Sequence, residues 1–220
     1  LGLALINLAY LGAERVFHLG LLAVAAGIVM SFYWPTAQAW LGQGEDRRHL
    51  LRALGVFNVA WSLGILVGPA AGGHLFSAAW RYPFAVAGCG CTLIFVGLLL
   101  IRVRRSPLAD PAPEVAVATG RDGRFLPIAW VANFCTFFAT ATVRSLFPKY
   151  ASDLGLGAGL LGDLFALIGL AQLTCFFLIT RTDRWQFRFW PIAMAQILDV
   201  VGLLLLACGR HPVHFALGLI

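Results

Sequence analysis

Long apolar stretches, punctuated by short charged ones, set the rhythm of this chain. Residues 19–44, 53–80, 82–101 and 125–143 contain no Asp, Glu, Lys or Arg. Residues 154–180 are interrupted only by Asp163, and residues 189–209 only by Asp199. Each stretch is close to or above the roughly 20 residues that carry a helix across a hydrocarbon core. The pattern predicts six full membrane-spanning helices. A shorter apolar run covers residues 1–12 and another begins near Val213, so the chain reads as a piece that starts inside one helix and stops inside another.

Composition agrees. Hydrophobic residues make up 60% of the chain and charged residues 12%, with a mean hydropathy of +0.84. Soluble domains carry about 25% charged residues, so this chain lacks the polar surface that water would require. The expected class is an all-α integral membrane protein. With neither a basic leader nor a small-residue cleavage site, the first run is not expected to be a secretory signal.

The charges lie between the spans. If the segment 45–52 faces the cytoplasm and sides alternate, 11 of the 16 basic residues fall on that side. The positive-inside rule assigns the richer side to the cytoplasm. The net charge of +6 is therefore a topology signal beside anionic lipid rather than a nucleic-acid footprint. Residues 102–124 differ from the other connections: Pro107, Pro111 and Pro113 break any helical period. The expected organisation is a first helical half at 1–101, a cytoplasmic linker at 102–124 and a second half at 125–220.

The span after Glu45 holds a glycine-proline constellation: Gly55, Gly64, Gly68, Pro69, Gly72 and Gly73. Gly64, Gly68 and Gly72 recur every four residues and share one helix face, where the missing Cβ atoms let a neighbouring helix approach. Pro69 removes the hydrogen bond to the Ile65 carbonyl and favours a kink. The spacing G-x8-G-x3-G-P-x2-G-G resembles the fifth-helix antiporter signature of the major facilitator superfamily at every fixed position. Asp46-Arg47-Arg48 looks like the basic loop before that helix, and Trp80-Arg81-Tyr82-Pro83-Phe84 like the aromatic lead-in to the next. Thr182-Asp183-Arg184 with Arg188 is similar to a degenerate form of the family's cytoplasmic Asp-Arg motif.

The resemblance covers essentially the whole chain, from late helix three to early helix ten. It implies two pseudo-symmetric helical bundles, here incomplete, around a central cavity, with alternating access. It further implies proton-coupled efflux of an amphiphilic small molecule across a plasma membrane of the bacterial inner-membrane kind. An ion-coupled importer or a uniporter shares that fold, and a non-transporting membrane sensor would share the sequence pattern.

In such a fold Tyr33, Trp34 and Gln38 of the fourth helix and Asn133, Thr136 and Thr140 of the seventh are candidates to line the solute cavity. The last three sit at helical spacing in a Phe-rich span, and such groups need partners in hydrocarbon, either another helix or a wet cavity. An Asp at a helix centre costs about 2.5–3.5 kcal/mol to insert, which marks Asp199 as a coupling or charge-bearing candidate. Asp163 and Arg144, closer to the outer interface, are candidates for pairing or gating. No phosphate loop, nucleophile elbow or metal-ligand spacing is present, so the reading is not an enzyme and calls for no cofactor, no metal and no nucleic acid. The five cysteines lie in apolar runs at spacings that suit packing. The expected partners are a small-molecule solute, protons and the lipid bilayer, with no oligomer required.

Overall fold

The computed structural model describes residues 1–41, 47–100, 125–179, 181 and 188–220. Among them the secondary structure is helical throughout: α1 (Gly2–Tyr10), α2 (Val16–Leu41), α3 (Arg47–Ala78), α4 (Tyr82–Leu100), α5 (Phe125–Asp153), α6 (Ala158–Ile179), α7 (Trp190–Cys208) and α8 (Pro212–Leu219). The linker at 102–124 lies outside the described residues.

Among the described residues five helices are long and apolar enough to cross a bilayer: α2, α3, α4, α6 and α7. The sixth expected span, α5, has 29 residues, about 43 Å at the helical rise. Its middle carries Asn133, Thr136, Thr140 and Thr142, which lower its apolarity. It also runs on past the apolar stretch through Arg144 and Pro148, and its last turns are supported by a Lys149–Asp153 ion pair at i, i+4.

Large apolar side chains point outward along these helices: Leu99 is 68% exposed, Phe134 69% and Phe138 66%. Water would not tolerate such a surface, whereas lipid is its natural solvent.

The described residues of 1–57 and 75–100 form one compact unit, and those of 58–74 and 125–220 another. The middle of α3 therefore belongs, by its contacts, with the later helices.

In the first unit α1 packs against α2 and α4. Gly88 makes room on α4 for Leu8, whose Cδ2 would lie 2.9 Å from a Cβ at that position. Tyr10 stacks on Phe84 with ring centroids 4.6 Å apart. Arg81 lies over the Trp80 ring at 4.9 Å, a cation-π pair in the short turn between α3 and α4.

The core of the second unit lies where α5, α6 and α8 meet, with α7 packed on α5 and α8. Phe147, Ala151, Leu164, Leu206, Phe215 and Leu219 are buried there. Phe215 is fully covered, edge-on to Phe147 at 5.3 Å and to Tyr150 at 6.0 Å.

The turn that delivers α6 to this core is set by Gly155, whose φ of +79° is left-handed. Gly155 N–H donates to the Ser152 carbonyl and Leu156 N–H to the Ala151 carbonyl, the paired bonds of a Schellman ending. Glycine takes that φ without Cβ strain.

Candidate functional site

Two constellations stand out, both in the second unit. The first is the contact of α3 with α6. A Cβ built on Gly73 would lie 2.9 Å from the Gly162 Cα and still closer to the Ala158 carbonyl oxygen. A Cβ on Gly162 would collide with the Pro69 carbonyl, and one on Gly169 would stand 2.6 Å from the Leu66 Cα. Backbone meets backbone at three levels, because each level has a glycine on at least one side.

Helical spacing explains why α6 can do this. Ala158, Gly162, Ala166 and Gly169 share one face, while Leu164 is buried in the core shared with α5 and α8. One side of α6 is small and the other large. On α3, Ser62 is fully buried on the same face as Leu66, Pro69 and Gly73, and its hydroxyl donates to the Asn58 carbonyl.

This geometry differs from the sequence expectation in one respect. Gly64, Gly68 and Gly72 lie about 130° around α3 from the face that meets α6. Within their own units, no described residue of another helix comes within 4 Å of a Cβ built on any of the three, nor on Gly55. The adjacent glycines Gly72 and Gly73 point about 100° apart, so only the second reaches α6. The Pro69 carbonyl is part of the contact, and α3 continues through Pro69 without a break.

Beside this contact His74 on α3 meets Asp163 on α6, with Nε2 at 3.0 and 3.2 Å from the two carboxylate oxygens. Asp163, expected near an interface as a pairing or gating residue, has this partner across the helices. Both side chains are at least half exposed, so the pair adds little stability of its own. What it adds is register, because it joins residues adjacent to Gly73 and Gly162.

The second constellation joins α5 to α7. The Thr136 hydroxyl donates to Asp199 Oδ2 at 3.1 Å and accepts from Gln196 Nε2 at 2.7 Å. Gln196 Nε2 also makes a long contact, 3.4 Å, to the Ala132 carbonyl. Asp199 thus has a polar partner inside the span. Of its neighbours on the α5 stripe, Asn133 is exposed and Thr140 half-buried.

The other expected residues are dispersed. On α2, Tyr33 is exposed, Trp34 packs its ring 5.4 Å from Phe57, and Gln38 is exposed. Arg144 and Arg188 are exposed, whereas Asp183 and Arg184 lie outside the described residues.

The sequence reading missed Gly162, Gly169, His74 and Gln196. Gly162 and Gly169 are seven apart, two turns along one face. Gln196 precedes Asp199 by three residues, also on one face. Both spacings were visible; what they faced was not.

With this arrangement in place, the comparisons with known proteins decide the lineage. The sequence model of the Major Facilitator Superfamily matches residues 1–220. The chain belongs to that superfamily. It is accordingly a multi-pass membrane protein of a transporter family, not a member of an enzyme family.

A curated relative within reach is the multidrug efflux protein YfmO of Bacillus subtilis (strain 168), 39% identical over 66 residues. The matched stretch is 30% of this chain and only 16% of that protein. No solved structure matches. For this superfamily member the polar groups inside the spans are the natural places to seek solute and ion chemistry.

Proposed function

We propose that this chain moves a small amphiphilic compound outward across a plasma membrane, of the bacterial inner-membrane kind, by alternating access driven by a proton gradient. The observation that carries the reading is the contact of α3 with α6. Helices that touch through glycine backbone carry no interdigitated side chains at the closest points, so they separate and re-close without repacking a core. Packed seams of this kind have discrete arrangements rather than a continuum. A transporter of this superfamily needs such a seam to expose a solute to one face and then the other.

Export of an amphiphile, as against import, is supported by the short stretch similar to a multidrug efflux protein and by the resemblance of the α3 glycine-proline pattern to the antiporter signature. Tyr33, Trp34 and Gln38 on α2, and separately Asn133, Thr136 and Thr140 on α5, are the residues proposed to meet the solute. Asp199 and Asp163 are the acids available for coupling.

The test uses the full-length protein in membrane vesicles with ethidium as the amphiphilic probe. Ethidium movement is expected to fall at least about fivefold when nigericin collapses the imposed pH gradient. Movement of equal rate with and without the gradient would remove the proton-coupled reading, and net accumulation in the cytoplasmic direction would reverse its sense.

A further inference from the structure

We propose that Asp199, Thr136 and Gln196 form the proton-binding site of this protein, with the Thr136 hydroxyl as the element that converts protonation of α7 into a changed hydrogen bond on α5. The proposal rests on the proton-coupled reading above and adds to it the residues that carry the proton and the way its arrival is transmitted.

The first support is a contrast among hydroxyls. Ser31, Thr36, Ser62, Thr92 and Thr174 all donate to the carbonyl four residues back on their own helix, at 2.7–2.9 Å. That is the ordinary bond of a hydroxyl inside a helix without another partner. Thr136 does not make it, and neither do Thr140, Thr142, Ser145 and Ser152 further along α5; what sets Thr136 apart is the side-chain acceptor it has instead. Its proton goes across to Asp199, while the carbonyl that it would otherwise reach, that of Ala132, keeps its helical N–H bond and takes from side chains only the long contact from Gln196. A second lone pair on that carbonyl therefore stands beside Thr136, weakly used.

The second support is the convergence of three groups. Thr136 Oγ1 lies 3.1 Å from Asp199 Oδ2 and 2.7 Å from Gln196 Nε2. With the acid ionised, and so accepting only, the bonds run from Gln196 through Thr136 to the carboxylate.

Addition of one proton to Asp199 forms one O–H bond on a carboxylate oxygen and alters no other covalent bond. The new carboxyl donor requires an acceptor, and Thr136 Oγ1 has a second lone pair. When the carboxyl proton is donated to Thr136, the Thr136 proton turns from Asp199, and the Ala132 carbonyl is the acceptor within its usual reach. Protonation on α7 thereby reverses the bond to Thr136 and ties Thr136 to its own helix. Asn133 and Thr140 sit about one turn to either side on the same stripe, which places the change beside the residues proposed to meet the solute.

Other titratable groups on the packed elements lie elsewhere. On α5, Arg144, Lys149, Tyr150 and Asp153 begin eight residues beyond Thr136, about 12 Å along the axis. Cys135 is exposed on a different face of α5, and Cys208 is exposed at the far end of α7. On α8 the titratable group is His214, packed against Gly209 at that same end.

The experiment is an infrared titration of the full-length protein in liposomes, followed in the carboxyl C=O stretch, for wild type, Asp199→Asn, Thr136→Val and Thr136→Ser. The wild-type minus Asp199→Asn difference is expected to contain one titrating carboxyl band. Thr136→Val, which keeps the shape and loses the hydroxyl, should displace its midpoint by about one pH unit or more, a tenfold change in proton affinity. Thr136→Ser should restore the wild-type midpoint. A polar contact that merely holds α5 to α7 would shift the midpoint as well, but it would leave the gradient-driven ethidium efflux of Thr136→Val at the wild-type rate.

A titration identical in Asp199→Asn, or a midpoint unmoved by Thr136→Val, overturns the proposal. If Asp199→Asn does not fold, the Val and Ser comparison decides alone. Ethidium efflux read in parallel separates the two claims. Gradient-driven efflux with no Asp199 band removes this site and leaves export standing. An Asp199 band with gradient-indifferent efflux does the reverse.

Discussion

Gly162→Ala and Gly73→Ala are expected to reduce transport by tenfold or more while leaving the protein inserted and at near-normal abundance. The added methyl at 162 meets the Pro69 carbonyl and the Gly73 backbone, and the methyl at 73 meets the Ala158 carbonyl and the Gly162 backbone. Backbone cannot rotate away as a flexible side chain would, so the two helices must part. Overpacking of this kind costs about 1–3 kcal/mol, and 1.4 kcal/mol already alters a two-state balance tenfold. The apolar length of α3 and α6 is unchanged, so insertion is unaffected. Both variants are to be measured as the initial rate of ethidium efflux normalised to protein in the membrane. Wild-type rates in both would show that the close approach has no part in turnover.

Phe215→Ala is expected to lower thermal stability in detergent more than any other single truncation of the α5–α6–α8 core. Phe215 is completely buried, and its ring is met edge-on by Phe147 and Tyr150. Truncating a buried Phe costs about 3–5 kcal/mol in soluble cores, a sum of transfer and cavity terms. Lipid supplies no strong hydrophobic drive for helix association, so the transfer part shrinks here while the lost dispersion contacts remain. A loss of about 2–3 kcal/mol follows from the cavity part. Melting of the purified full-length protein, followed by size-exclusion profile, reads it directly. Phe134→Ala makes the comparison, because that ring is 69% exposed and its loss should move the melting temperature little.

The spans were legible in the sequence because membrane crossing is a matter of length and of where charge stops. Rotation about each helix axis was not. In a helix that is apolar all round, the side facing lipid and the side facing a neighbour are written in the same residues. The glycine-proline pattern on α3 therefore announced a close approach but not its face. The sequence pointed to the ridge of Gly64, Gly68 and Gly72, whereas the described approach runs through Leu66, Pro69 and Gly73.

Polar residues were more informative. Asp199 required a partner inside the span, and the structure supplies it through Thr136, which the sequence had already placed on a polar stripe. Gln196 escaped notice because its spacing to Asp199 does not say which residue of another helix the pair faces. His74 escaped because its partner is 89 residues away in sequence.

Spin labels at Val67 and Leu160, both exposed side chains beside the tight contact in the second unit, give the most direct measurement of the central claim. Pulsed electron–electron distances in the full-length, transport-active protein should show two populations whose ratio changes between inward- and outward-directed proton gradients. A single distance, unmoved by either gradient while efflux proceeds, would contradict the claim that α3 and α6 part and re-close during transport.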